Sequence, residues 1–458
     1  MKISMKKFVL AAASAAVLGG AMSSAQAANW LMLQGTEKPG AAPRAKVWGF
    51  IQPEYQHTDD TRLKAGAFAG QKAIFNQMRP DLKSSSGFNV LRARLGVRGV
   101  AMPLDSNVNY FLLAEFGNNG ITRQGGGNVK LTDASVTFNH FKGARVRIGQ
   151  FKYPGAEEGL QAIHVFDYIN FSNVTNGLLL ERFFDGDGST TAGNGTGTCT
   201  SGSANAACAN NPNGPVGAFR DVGIQLFETF KQSDWEHSYA FMVGNGNGIT
   251  RGNNDNAYDT YAYWSSEKVF GGKGPRRMGW KMFLWGQQGK RTLTGANNSG
   301  GAGTYDRTRA GLGTTFRNQR HRFALEYISA DGMIFNGTDG GAVAGSANNA
   351  GTGTASWNVA TDGKADGYYI HYGFAPIPKV ELDFRYDYYN RDKDNNAGQR
   401  VFDTYTLGFQ YFFNKKTRMI LNYEKREAHA PNLAGGSPAN QILDSIDNRI
   451  SAQVLAIF

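Results

Sequence analysis

The sequence predicts an all-β fold, a transmembrane antiparallel β-barrel of about sixteen strands with one long inward-folded loop. Three observations support this prediction. Segments of about ten residues alternate apolar and polar side chains, a length that suits a tilted strand crossing a bilayer. Short and long connections alternate between these segments. The chain is also rich in Gly (59), Phe (30) and Tyr (19), as expected for aromatic strands joined by glycine-containing loops.

Residues 1–27 have the features of an export signal. Three lysines in this segment precede a short apolar run, and Ala-Gln-Ala at 25–27 provides a small-x-small cleavage site. The alternative is a membrane anchor, but the run is shorter than the roughly 18–20 apolar residues of a spanning helix. We therefore expect residues 28–458 to form a barrel in the outer membrane.

Period-two alternation and turn residues mark the strand candidates along the chain. They span 46–56, 90–101, 107–116, 129–141, 144–151, 219–230, 235–245, 257–268, 277–287, 306–317, 320–329, 366–374, 378–390, 400–413, 417–426 and 447–458. Short turns at one rim and long loops at the other are typical of outer-membrane barrels. The last candidate is expected to pair with the first, because an open edge in lipid would leave backbone groups unsatisfied.

Alternation also predicts which side chains face lipid. In KVELDFRYDYY, which starts at Lys379, apolar and charged residues alternate. Placing Lys379 and Arg385 at the bilayer midplane would cost about 2–4 kcal/mol each, so the charged face is predicted to line a water-filled lumen. The same rule places Leu91 towards lipid. The predicted inward-facing charges are Arg92, Arg94, Arg98, Arg145, Arg147, Arg307, Arg309, Arg317, Arg320, Arg322, Arg385, Glu115, Asp133, Glu326, Glu381, Asp383 and Asp387.

A lumen this rich in arginine favours anions. Arginine is permanently charged, its donors suit carboxylate and phosphate, and a wall of cations raises the local anion concentration. The alternative is that the interleaved acidic residues pair with these cations, so that the charges only hydrate the wall. The 48 Lys and Arg and 37 Asp and Glu are scattered, unlike the basic runs of a nucleic-acid-binding protein, so no nucleic-acid partner is expected.

The longest connection, 152–218, is predicted to fold into the barrel and to narrow it as a constriction loop. Its first part, from Leu160 to Phe184, is too apolar for a solvated loop, and the inner wall is the surface available to bury it. Glu157, Glu158, Glu181 and Arg182 are predicted to be its charged tips, and Lys152 stands at its start. Cys199 and Cys208 are expected to form a disulfide in the outer part of the loop, with two free thiols as the alternative.

Several segments resemble the phosphate-selective porin family of the O and P type. TDASVTFNHFKGARVRIGQFKYPGAEEG, LLLERFF and RDVGIQLF resemble the stretch that leads into and out of the family's constriction loop. VLRARLGVRG and DNRISAQVLAIF resemble its second strand and C-terminus. The resemblance implies sixteen strands, a homotrimer, and diffusion of anions through a basic constriction.

The resemblance also assigns residues. It places Arg92, Arg94, Arg98, Arg145, Arg147 and Lys152 at inward basic positions, and it matches Glu181–Arg182 to the family's Glu-Arg pair. At 153–156, Tyr-Pro-Gly-Ala replaces the family's Pro-Phe-Gly sequence, so organic anions stand beside phosphate as expected solutes. The terminal aromatic Phe458 resembles the C-terminal signal that the barrel assembly machinery recognises in outer-membrane proteins.

No residue spacing supports an enzyme, a cofactor or a metal site. The seven histidines show no spacing with nucleophile or acid partners, and the glycine-rich runs are not followed by a helical pattern. Two alternatives remain beside the porin. One is a sleeve around an electron-transfer complex, which needs a barrel of more than about twenty strands. The other is an adhesin or receptor that acts through the long loops.

Overall fold

The computed structural model describes most of the chain after residue 28. The described residues are 29–32, 36, 44–59, 61–62, 64–65, 69–70, 86–101, 105–119, 122, 129–180, 198–200, 217–249, 252–272, 274, 276–293, 300–337, 348–349, 352–354 and 358–458. The predicted export signal lies outside these residues. None of the helices in the described part of the chain is long and apolar enough to cross a membrane.

Sixteen antiparallel strands form a closed barrel. They are β1 (Lys46–Thr58), β2 (Ser86–Ala101), β3 (Asp105–Glu115), β4 (Lys130–Phe141), β5 (Ala144–Lys152), β6 (Arg220–Gln232), β7 (Trp235–Gly244), β8 (Asp259–Gly271), β9 (Met278–Leu293), β10 (Gly303–Asn318), β11 (His321–Asp331), β12 (Lys364–Ile377), β13 (Val380–Arg391), β14 (Arg400–Phe412), β15 (Thr417–His429) and β16 (Arg449–Ile457). Each of the sixteen candidate segments corresponds to one of these strands. The predicted fold class is therefore confirmed.

The barrel closes between β16 and β1. Their register pairs Phe50 with Ile457, and the backbone of Gly49 exchanges hydrogen bonds of 3.2 and 3.0 Å with that of Phe458. The Phe458 ring lies over Gly49, where a Cβ atom would come within 2.4 Å of it. Glycine is therefore required at this position for the aromatic ring to pack at the closing seam.

The two rims differ as predicted. At one rim the strands are joined by short turns, such as Lys142–Gly143 between β4 and β5, where Gly143 adopts a φ of +80° suited to a tight hairpin. The opposite rim carries the long connections. These contain two small sheets of short loop strands and the helix Pro438–Leu443, which Ser437 caps at its N-terminus.

Alternate residues separate lipid from lumen. On β13, Phe384 is 40% exposed on the outer surface whereas its neighbour Arg385 is 1% exposed in the interior. One predicted outward residue, Leu91, is instead buried, because a bulge opposite Gln52 and Pro53 shifts the alternation of β2. Arg320, predicted to face the lumen, is exposed in the turn between β10 and β11, beyond the ends of both strands.

Candidate pore constriction

The first part of the long loop crosses the interior of the barrel. Residues 153–180 follow β5 and contain two short helices, α1 (Glu157–Leu160) and α2 (Asn173–Leu179). Its apolar side chains pack into one core with inward-facing aromatic residues of the wall, including Phe151 and Phe227. The loop is apolar because its side chains are buried against the inner wall of the barrel, as predicted.

Several predicted residues lie beyond the described part of this loop. Glu181, Arg182 and Cys208 lie outside the described residues, and only the backbone of Cys199 is described. The Cys199–Cys208 disulfide therefore stays a prediction.

The start of α2 is attached to the wall by charge-assisted hydrogen bonds. The Asn173 amide donates to Asp387 Oδ1 at 2.8 Å, and Ser172 caps the helix by accepting from the Thr175 amide. The Ser172 hydroxyl also donates to Glu158 at 2.6 Å, and Glu158 forms an ion pair of 3.1 Å with Arg385. One arginine of β13 thus stabilises both helices of the loop.

The start of α1 is held by a second polar network. Lys281 Nζ of β9 donates to Glu157 Oε2 at 2.6 Å, and the Glu157 amide donates to Glu326 of β11. Glu326 also accepts from Trp285 and Tyr369 at 2.8 Å each. Glu157 and Glu158, predicted as charged tips of the loop, are therefore buried against the wall, because each has a cationic partner there.

The middle of the loop approaches the short-turn rim. Asp167 pairs with Arg276, at 2.6 Å, and with Arg322. The carbonyl of Phe166 accepts from Arg418, which stands on β15. His164 in the same stretch packs edge-on against the Trp48 ring and at a tilt against the Phe50 ring. Burial, together with the nearby Arg418 and Lys152 cations, lowers the pKa of His164 to about 3, so this side chain is neutral at physiological pH.

A basic cluster lies on the wall beside the loop. We use this term for Arg92, Arg94, Arg147, Lys152 and Arg220, which project from β2, β5 and β6. Arg94 pairs with Glu115 at 2.8 Å and Arg220 with Asp133 at 2.9 Å.

Two members of the basic cluster have only neutral partners. Arg92 donates to Gln52 at 3.1 Å, and Lys152 donates to the Gln161 carbonyl at 2.6 Å. Among the described residues, the polar contacts of Arg92 and Lys152 are with neutral groups only. The cluster therefore carries an excess of positive charge.

Charge pairing across strands is nevertheless common in the rest of the interior. Buried pairs include Arg291–Asp259 and Arg449–Glu424, with side chains almost completely removed from solvent. The alternative prediction, that cations and acids pair along the wall, thus describes much of the lumen. It does not describe Arg92 and Lys152 of the basic cluster, whose hydrogen bonds to described residues are with neutral groups.

Cavities lined by residues that the structure describes adjoin the loop, and three of them bear on its charge. The first, of about 50 Å³, is lined by Arg94, Arg147, Lys152 and Arg220, and none of the described residues that line it is acidic. The second, of about 60 Å³, lies on the other side of the loop and includes Arg317 and Lys281. Each exceeds the ~10–15 Å³ that a single water needs.

The third cavity, of about 560 Å³, opens at the short-turn rim. Its cationic lining residues are Arg276, Lys379, Lys415, Lys416 and Arg418, and no acidic residue of the described chain lines it. The described lining of this cavity therefore places positive charge at the short-turn rim.

The remaining predicted pore-lining arginines occupy different environments. Arg309 donates to the carbonyls of Leu178, Gly332 and Met333 at 2.7–2.9 Å, so it ties α2 to the long-loop end of the barrel. Arg98 lies over the Phe111 ring at 5.6 Å, and Arg145 pairs with Glu228 at 3.1 Å near the short-turn rim.

Sequence reasoning did not single out several residues of the constriction. Arg220 and Lys281 have a usable signal, since each is a charged residue in an alternating strand segment. Arg276 lies in a turn, where alternation gives no information about direction. Trp30, which donates from its indole nitrogen to Glu157 at 2.7 Å, precedes the first strand and has no sequence signal at all.

The fold and the site define the class of protein. A closed barrel of sixteen strands with short turns at one rim, a lipid-facing apolar surface and a loop across a charged lumen is an outer-membrane porin. Among the described residues, no group of three or more His, Cys, Asp or Glu side chains is placed to hold a metal ion.

The family follows from the sequence comparison. The model of the family "phosphate-selective porin O and P" matches residues 66–165 and 231–439, more than half of the chain. The chain belongs to this family, which confirms the resemblance found in its strand and loop segments. No curated protein matches the sequence closely enough to count as a relative.

Solved structures with this fold include other bacterial porins and outer-membrane proteins. OmpF of Salmonella typhi, in complex with daunomycin, has 11% identity and a TM-score of 0.51, covering 90% of this chain and 97% of OmpF. A mutant of the Vibrio cholerae outer membrane protein OmpT, in which loop L8 is deleted, has 11% identity and a TM-score of 0.50. The match covers 91% of this chain and 100% of the mutant. An anion-selective porin from Comamonas acidovorans has 13% identity and a TM-score of 0.47. The match covers 90% of this chain and 99% of that porin. The first two similarities concern the fold alone.

Proposed function

We propose that this porin lets small hydrophilic solutes diffuse passively across the outer membrane with a preference for anions, either phosphate or small organic anions. The observation that carries the proposal is the first cavity, whose four cationic side chains have no acidic residue among the described lining. The channel acts without a cofactor and without catalysis. Its partners are outer-membrane lipid, the barrel assembly machinery that recognises Phe458, and two further copies of the chain in a homotrimer.

The charge distribution supports an anion route beside the loop. Lys152 lines the first cavity and Arg92 lies buried in the same cluster, and the hydrogen bonds that both make to described residues are with neutral groups. A cationic wall of low dielectric raises the local concentration of anions and lowers that of cations. The cationic residues of the third cavity, such as Lys379 and Lys415, extend this field to the short-turn rim.

The sleeve alternative finds no support in the architecture. A barrel that surrounds an electron-transfer protein needs more than about twenty strands, whereas this barrel has sixteen. Its interior is also crossed by residues 153–180 of its own loop.

Reversal potentials of single channels in a salt gradient test the proposal. The wild type is expected to select anions, and Lys152→Gln is expected to lower the ratio of anion to cation permeability, since it removes a charge without leaving a carboxylate unpaired. Lys425→Gln is the matched control, because Lys425 is an exposed residue of β15 that pairs with Glu427 outside the lumen. Cation selectivity of the wild type, or equal ratios for the two variants, would contradict the proposal.

A further inference from the structure

The short segment before the first strand lies inside the barrel. Residues Trp30–Met32 form a single 3-10 turn, and Leu31 is buried in the core that contains Phe151 and Phe227. The Asn29 amide group donates to Thr229 at 3.3 Å and also to Ser238, both near the short-turn ends of β6 and β7. The Leu31 carbonyl accepts from Arg147 of the basic cluster at 3.3 Å.

Burial explains why the segment stays in this position. Burial of a leucine side chain and hydrogen bonds to the wall both stabilise a segment in a protein interior. Trp30 adds a bond between its indole nitrogen and Glu157 of α1. The segment therefore connects the wall at β5–β7 with the loop that crosses the lumen.

Trp30 separates two of the cavities. Its side chain lines the first cavity together with Lys152 and Arg220, and it also lines the second cavity together with Lys281 and Arg317. Both cavities are narrow, and both are lined by more cations than acids. Trp30 is therefore shared by two small, cation-rich spaces at this level of the lumen.

We propose that Trp30 is a pore-lining residue that divides the constriction into two narrow cationic routes and limits the size of the anions that pass. The inference rests on the proposed function, since it concerns solute passage. The Asn29–Met32 segment would then narrow the lumen together with residues 153–180 of the loop.

Single-channel recordings of Trp30→Ala test the inference. Removing the indole merges the two cavities, so we expect a higher conductance and an exclusion limit shifted towards larger organic anions. Trp280→Ala is the matched control, because Trp280 lies on the outer surface of β9, where its indole packs at a tilt against Trp235. Equal conductance of the two variants would overturn the role of Trp30 while leaving anion selectivity intact. Cation selectivity of the wild type would overturn the proposed function instead.

Chemical modification gives a second test that does not depend on a rise in conductance. In a background with Cys199→Ser and Cys208→Ser, Trp30→Cys is treated in the bilayer with a negatively charged, water-soluble methanethiosulfonate. Reaction at a residue that lines the route places a negative group there, so the anion current is expected to fall. Trp280→Cys, on the lipid side, is expected to show no change in current. An unchanged current in Trp30→Cys would overturn the inference.

Discussion

At the scale of single residues, the ion pairs between loop and wall hold the constriction together. Arg385 is buried, pairs with Glu158 at 3.1 Å and stacks on Tyr168 at 4.4 Å. Arg385→Met leaves Glu158 without its buried cation, which we expect to destabilise the protein by about 3–5 kcal/mol. Urea unfolding monitored by tryptophan fluorescence measures this loss.

A double-mutant cycle separates the ion pair from packing. Adding Glu158→Gln to Arg385→Met removes the unpaired carboxylate, so part of the stability is expected to return, with a coupling of about 0.5–3 kcal/mol. Additive losses in the double variant would show that the pair itself contributes nothing.

His164 gives the constriction a pH dependence of defined sign. Its pKa is lowered from 6.5 to about 3 by burial and by Arg418 and Lys152. The unfolded chain therefore binds the proton at higher pH than the folded chain, and the contribution of His164 to stability is fully present above about pH 6.5 and decreases towards about pH 3. We expect the unfolding temperature of the wild type to fall more between pH 7 and pH 4 than that of His164→Asn. His429→Asn, at an exposed site, should follow the wild type, and parallel curves for all three would contradict the assignment.

At the scale of elements, α2 depends on a close approach to the wall. A Cβ atom on Gly177 would lie 2.7 Å from the Tyr389 ring, so Gly177→Val is expected to displace α2 from β13. The displaced loop should be cut faster by protease while the barrel keeps its slow, heat-modifiable migration on gels. Gly435→Val is the control, since a Cβ at Gly435 meets nothing within 4 Å. Equal cleavage of the two variants would show that α2 tolerates the side chain.

The elements also show how far sequence reasoning reaches. Strand positions follow from period-two alternation, because each strand has one face in lipid and one in a polar interior. Alternation fails locally at Leu91, where a bulge changes the register, and at Arg320, which lies in a turn. The ion pairs within the lumen could not be predicted. The pairing of Glu158 with Arg385, for example, depends on how the loop crosses the barrel, and no periodic pattern in the sequence reports that path.

At the scale of the whole molecule, the separation of lipid and water faces is the property on which transport depends. Leu312 is 58% exposed on the outer surface of β10, whereas Thr315 on the opposite face lines the second cavity. Nitroxide labels at 312 and 315 are expected to collide with oxygen in lipid and with a water-soluble nickel chelate in the lumen, respectively. Similar accessibility of both labels to the nickel chelate would contradict a barrel wall with one face in lipid and the other in water.

The seam between β1 and β16 sets the order of events during biogenesis. Gln52 and Gln453 are hydrogen-bonded across this seam at 2.9 Å although they are 401 residues apart in the chain. Contacts between such distant residues form slowly, since a very long segment must be ordered first. One edge of β1 can therefore pair early with β2, whereas its other edge stays open until the intervening strands and β16 are in place, and an open strand edge is prone to aggregation.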